Sequence, residues 1–145
     1  MAALPAPATP AQGGGAAAPP PSVPTGFTLI VCGGRQFRGL WAVGNLRQAL
    51  GALPRPSLVL HGCCSGADVS AASWAFAAGI PVLGFPAHWS RHGRAAGPIR
   101  NAEMLAHAAA RGLPRLVVAF PGGAGTRSMV TLARQHLVPV WQPLG

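Results

Sequence analysis

A chain of 145 residues is long enough for one domain with one hydrophobic core and too short for two of ordinary size. Half of its residues are hydrophobic, yet no uninterrupted apolar run approaches the ~20 residues that a membrane-spanning helix needs. The net charge of +9 comes from eleven arginines set against Asp68 and Glu103, with no lysine, a balance that favours anionic partners.

Arginine without lysine, amid so much alanine, glycine and proline, fits a GC-rich coding sequence as well as a binding surface. Prolines break the first ten positions and no basic residue precedes an apolar block, so a secretory signal is not expected. Cys32, Cys63 and Cys64 give an odd count with two neighbours adjacent, a poor disulfide framework that suits free thiols in a reducing compartment. A cytoplasmic location is the expectation.

Residues 1–26 hold no charged side chain and consist mostly of alanine, proline and glycine, which reads as a disordered tail. From Phe27 to Gly145 the pattern becomes short apolar runs, each followed by a glycine turn and a stretch with helical spacing. That is the mark of βα units around a parallel sheet. The first strand is expected at Phe27–Cys32, an unbroken apolar run of the kind covered on both faces. Gly33 and Gly34 end it, and a helix follows from Leu40 to Leu53, closed by Pro54. A second strand, Ser57–His61, leads through a loop at Gly62–Gly66 into an alanine-rich helix at Ala67–Ala78, stopped by Gly79.

The third strand is Pro81–Phe85. A long polar loop, Pro86–Gly97, precedes a helix at Pro98–Ala110 with its proline in the first turn. The fourth strand is Arg115–Phe120, followed by a glycine-rich loop at Pro121–Gly125, a helix at Thr126–His136 and a short last strand at Val138–Trp141. The expected architecture is α/β: a Rossmann-like three-layer sandwich around five parallel strands, one domain behind a tail.

In such sheets ligands bind beyond the carboxyl ends of the strands, where the strand order reverses. The glycine clusters fall there. Glycine leaves backbone amides open to a phosphate at a helix N-terminus, where the dipole favours negative charge. The loop Pro121-Gly122-Gly123-Ala124-Gly125-Thr126 offers several such amides and the Thr126 hydroxyl; its ligand-free alternative is a tight turn with Thr126 as helix cap. Gly33, Gly34 and Arg35 form a second candidate, with Arg35 either a phosphate clamp or a solvated turn residue. In the loop with Gly62, Ser65 and Gly66, Ser65 and Asp68 have capping-box spacing, so Asp68 either starts a helix or meets a ribose hydroxyl or acts as a base.

Arg94, Arg100 and Asn101 lie in a segment able to fold over a ligand, followed by Glu103. Walker A and first-strand GxGxxG patterns are absent, as are a nucleophile elbow and the paired spacing of a zinc site around His61, Cys63, Cys64 and His88. No metal and no cofactor is expected.

Several of these stretches together resemble the SLOG superfamily of Rossmann-like proteins, in its YspA, cpYpsA-related branch. The carriers are Val31-Cys32-Gly33-Gly34-Arg35-Gln36-Phe37, His61-Gly62 with Gly66-Ala67-Asp68, and Phe85-Pro86-Ala87-His88-Trp89. His92 to Pro98 with Arg100-Asn101, and Phe120 to Thr126, complete the set. The resemblance implies a nucleotide or nucleotide-derived ligand, such as an ADP-ribose-like molecule, held between the loops of the first and fourth strands.

The related LOG enzymes, which remove a base from a nucleoside monophosphate, carry a glutamate three residues past the motif threonine. Here that position is Met129, on an apolar helical stripe with Leu132 and Ala133. Cleavage at a sugar carbon develops positive charge that a carboxylate stabilises, and only Asp68 and Glu103 are available as catalytic candidates. Three readings follow: a sensor that binds without turnover, a LOG-like phosphoribohydrolase using Asp68 or Glu103, and a nucleic-acid-binding module akin to DprA. Pairing through helices into a homodimer is the expected form of self-association.

Overall fold

The computed structural model describes residues 18–145. Five strands, β1 (Thr28–Cys32), β2 (Leu58–His61), β3 (Val82–Gly84), β4 (Arg115–Ala119) and β5 (Val140–Trp141), form one sheet in the order β3-β2-β1-β4-β5. Every pairing is parallel, and β1 and β4 share the longest register, from Thr28 opposite Arg115 to Cys32 opposite Ala119.

The helices are α1 (Leu40–Gly51), α2 (Ala67–Ala77), α3 (Trp89–His92), α4 (Ala96–Ala110) and α5 (Ala124–Gln135), with a 3-10 turn at Gly93–Ala95 joining α3 to α4. Strand side chains alternate between the faces of a sheet, so an unbroken apolar run fills two cores at once. Leu29 and Val31 of β1, with Leu116 and Val118 of β4, pack under Leu46 and Leu50 of α1 and Ala71 and Ala75 of α2. On the other face Ile30, Cys32, Val117 and Ala119 meet Met104, Leu105 and Ala108 of α4 and Met129, Val130 and Ala133 of α5. This is the three-layer α/β sandwich expected from the sequence.

Three local differences bear on the site. The segment Pro86–Gly97 is largely helical, because Trp89–His92 forms a turn of helix that runs through Gly93–Ala95 into α4. The last helix begins at Ala124 with Gly123 as its cap, so Thr126 lies inside the first turn and does not cap it. The capping box of Ser65 and Asp68 does not form: Gly66 caps α2 at φ 79°, and no side chain bonds to the cap.

Residues 1–17 of the tail lie outside the described residues. Residues 18–26, grouped with the tail by composition, lie on the domain. The Ala18 N–H donates to Pro143 O and Trp141 Nε1 donates to Ala18 O, each at 3.2 Å, and Val23 packs on the α1/α2 core. No helix among the described residues is long and apolar enough to cross a membrane.

Candidate functional site

The strand order reverses between β1 and β4, since β2 and β3 lie on one side of β1 and β4 and β5 on the other. Chain direction in a parallel sheet puts all strand-to-helix loops at one edge, and the reversal opens a crevice there because successive loops turn to opposite faces. The loops that meet at this crevice are Gly33–Arg35 and Pro121–Gly125.

They touch through backbone. The Gly34 N–H donates to Pro121 O at 2.8 Å. A Cβ on Gly34 would stand 2.9 Å from Gly122 Cα, and one on Gly122 would collide with Thr126 Oγ1, so this seam requires glycine. Gly123 and Gly125 are different: neither has a positive φ, and a Cβ on either would meet nothing within 4 Å. Neither backbone conformation nor packing demands glycine at those two positions, which leaves the space above the start of α5 open. Among the described residues no backbone or side-chain acceptor takes the N–H groups of Gly123, Ala124 and Gly125, which face outward at the positive end of the helix dipole.

Beside the seam, toward β2 and β3, lies a cleft of about 310 Å³ lined by Arg35, Gly62, Cys63, Cys64, Ser65, Pro86, Ala87, Trp89 and Arg100. Trp89 is half exposed at its mouth. Arg100 is buried in the wall and braces it, with Nη1 donating to Gly62 O at 2.6 Å and to Phe85 O at 3.5 Å, and Nε donating to Asn101 Oδ1 at 2.8 Å. Asn101 is also buried, and its Nδ2 donates to Gly125 O (3.2 Å) and Ser128 Oγ (3.3 Å). Two adjacent residues of α4 thus tie the loops after β2 and β3 to the first turns of α5, and Arg100 still contributes cationic surface to the cleft.

Asp68 lies behind the same wall. Its Oδ2 accepts the N–H of Gly62 at 2.8 Å and that of Cys64 at 3.4 Å. Burial raises its carboxyl to about 6, against the opposing pull of those two N–H groups and of the Arg100 charge. The nearby Cys32 thiol is pushed up to about 12 by burial and secondarily by Asp68, and burial also raises Cys63 and lowers His61. His61 Nδ1 accepts the Cys63 N–H at 3.0 Å and thereby holds Cys63 at φ 63°.

Of the residues singled out from sequence, Arg35, Gly62, Ser65 and Arg100 line this cleft, while Gly33, Gly34, Pro121, Gly122, Gly123, Gly125 and Thr126 lie at the seam or the adjoining start of α5. Gly66, Asp68 and Asn101 form the layer behind them. Arg94 is exposed on the 3-10 turn and Glu103 is exposed on α4, and neither lines the cleft. Trp89, Cys63 and Cys64 are wall residues that the sequence reading did not select. A tryptophan in a polar loop directly after a strand was the available signal.

A family model described as YspA, cpYpsA-related SLOG family matches residues 27–92, from the residue before β1 through α3. The chain is also 32% identical over 122 residues to the Gene 61 protein of Mycobacterium phage D29, across 77% of this chain and 92% of that protein. The chain belongs to the YspA, cpYpsA-related SLOG family. No solved structure gives a significant match. The family match ends before the Pro121–Thr126 loop, so the reading of that loop rests on its own geometry: its position at the strand reversal and its outward amides.

Proposed function

We propose that the protein binds a nucleotide or nucleotide-derived anion, a nucleoside phosphate or an ADP-ribose-like molecule, and acts as a sensor that does not turn its ligand over. The observation that carries this reading is the seam at the β1/β4 reversal, where glycine backbone replaces side chains, the amides of Gly123, Ala124 and Gly125 are unpaired among the described residues, and Arg35, next in the chain to Gly34 of the seam, lines the adjoining cleft. In it the amides and Arg35 hold the phosphate, the cleft takes the nucleoside with Trp89 against the base, and Arg100 supplies positive potential from the wall. The family assignment supports a nucleotide-related ligand.

The positions of the carboxylates support binding without turnover. Asp68 directs its oxygen at the backbone of its own loop, Glu103 is exposed outside the cleft, and Met129 is fully buried in the α4/α5 core. The test is a thermal-shift and calorimetric screen of AMP, ADP-ribose, NAD and cyclic nucleotides on the wild type and Arg35→Ala, with chromatography of the nucleotides after long incubation. Saturable binding weakened by Arg35→Ala, with every nucleotide recovered intact, is the expected result; no stabilisation by any of them overturns the reading.

One observation favours a second reading, LOG-like hydrolysis. A carboxyl near 6 is matched to proton transfer at neutral pH, and Asp68 has that property. Release of free base or ribose phosphate in the same incubation, lost in Asp68→Asn, would establish it.

A further inference from the structure

Helix α2 lies beside α1 over the β2 and β3 side of the sheet. It rests on the core through Ala67, Ala71 and Ala75, all fully buried, whose small side chains let the helix lie close. The opposite stripe, Val69, Ser73 and Phe76, repeats at helical spacing and faces solvent. Phe76 is 84% exposed and Val69 54%.

A solvent-facing helix stripe ordinarily carries charge. Among the α-helices of the described residues, α2 alone exposes no charged side chain, since its one charged residue, Asp68, is buried. Arg47, Arg91, Glu103 and Arg127 stand exposed on α1, α3, α4 and α5. Arg55 reaches the C-terminal end of α2, where Ala78 O and Gly79 O each take up its guanidinium at 2.9 Å.

Charge decides what can cover this stripe. In a chain of net charge +9, a two-fold contact sets each cation near the axis against its own copy. An uncharged face avoids that repulsion. Leu40 and Leu137 are at least as exposed as Phe76, but Arg38 and Arg134 lie within three residues of them in the chain, so self-pairing there would bring like charges together. The α2 stripe also fits itself. When two copies are turned antiparallel about an axis between Ala72 and Ser73, Phe76 of each meets Val69 of the other, because that axis lies midway between the two positions. The small side chains at the crossing let the helix axes approach to the short end of the ~8–10 Å range.

We propose that the outer face of α2 pairs with the same face of a second copy of this chain, in a two-fold antiparallel contact that sets Phe76 against Val69. A pair of helices of 11 residues buries less than the ~1,200–2,000 Å² of a standard stable interface, so the dimer forms and dissociates with concentration.

The test is sedimentation equilibrium of the full chain from about 1 to about 300 µM, for the wild type, Val69→Arg, Phe76→Glu and an equimolar mixture of the two variants. Both positions are exposed, so each variant should melt with the wild type at the lowest concentration, where all are monomers. The expected result is a monomer–dimer equilibrium for the wild type, weakened at least about 10-fold by either substitution. The mixture should regain dimer, since a heterodimer sets the new arginine against the new glutamate and keeps one Phe76–Val69 contact. A wild type that stays monomeric throughout, or a dimer that neither substitution weakens, overturns the α2 contact. Failure of the mixture to dimerise more than either variant alone overturns the antiparallel register.

Discussion

At Gly123 a single residue separates stability from binding. It caps α5 without a side chain, has open space around its Cα, and lies where the phosphate is proposed to sit. Aspartate is a better helix cap than glycine by a few tenths of a kcal/mol, so Gly123→Asp should fold with a melting temperature equal to or slightly above the wild type. Its carboxylate would occupy the phosphate position, and nucleotide affinity should fall by at least about 10-fold, read by calorimetry on the same sample. A variant that binds normally would move the phosphate off this loop. Asp68 makes a pH prediction. Its carboxyl titrates near 6 in the fold and near 3.8 when free, so between those values the folded chain holds the proton more often than the unfolded one. Its contribution to stability therefore falls as pH rises from about 4 to about 6, and the full cost of the buried charge stands above that. The substitution Asp68→Asn keeps an acceptor for the Gly62 N–H and removes the ionisation. The difference in melting temperature, Asp68→Asn minus wild type, should accordingly rise across that pH window and level off above it. A difference that stays flat from pH 4 to 7 would place the Asp68 titration elsewhere.

Among the elements, α4 and α5 decide what the site can do. Arg100 and Asn101, side by side at one turn of α4, join the loops after β2 and β3 to the start of α5 by hydrogen bonds to Gly62 O, Phe85 O and Gly125 O. Replacing Arg100 with methionine would leave Gly62 O unpaired in a buried wall and Asp68 without its neighbouring cation. The expected loss is on the order of 3 kcal/mol in denaturant unfolding, together with weaker nucleotide binding as the wall relaxes. In α5 the stripe of Met129, Val130 and Ala133 faces the sheet, and Met129 is fully buried. Installing the LOG glutamate as Met129→Glu would put an unpaired carboxylate in that core. The expected outcome is a loss of about 3–5 kcal/mol and no gained hydrolase activity; a stable, active variant would show that α5 can rotate its face toward the ligand.

For the whole molecule, charge and topology act together. Arg35, Arg38, Arg91, Arg94 and Arg127 are exposed at the edge where the strand-to-helix loops gather, with no hydrogen-bond acceptor among the described residues. Others are engaged elsewhere: Arg55 donates to Ala78 O and Gly79 O, and Arg111 to Thr28 Oγ1 and Ser57 Oγ. The free arginines give the ligand edge a positive field that draws in any polyanion as well as a nucleotide. Salt separates the two. Single-stranded DNA neutralising about five phosphates should weaken by about 100-fold between about 50 and about 200 mM salt, whereas a nucleotide held by one or two phosphate groups should lose only a few-fold. Tight, salt-resistant binding of an oligonucleotide would favour the nucleic-acid-binding alternative.

The sequence by itself determined the alternation of strand and helix. Apolar runs such as Phe27–Cys32 suit only a strand covered on both faces, and the helical stripe through Met129 marks a core face. It also determined that the glycine clusters lie at one edge, because a parallel sheet sends every strand-to-helix loop to the same side. Its local signals failed where two structures compete within a few residues: Trp89–His92 folded as helix inside an apparent loop, and Gly66 took the cap that Ser65 and Asp68 were spaced to form. The tertiary structure alone decided the strand order, and with it that Gly34 meets Gly122. Strand order depends on which long-range pairings bury the most surface together, and no local pattern encodes it. The same holds for Arg100 and Asn101, whose positions suited a ligand loop but whose side chains turn inward to carbonyls 15 to 38 residues away in the chain.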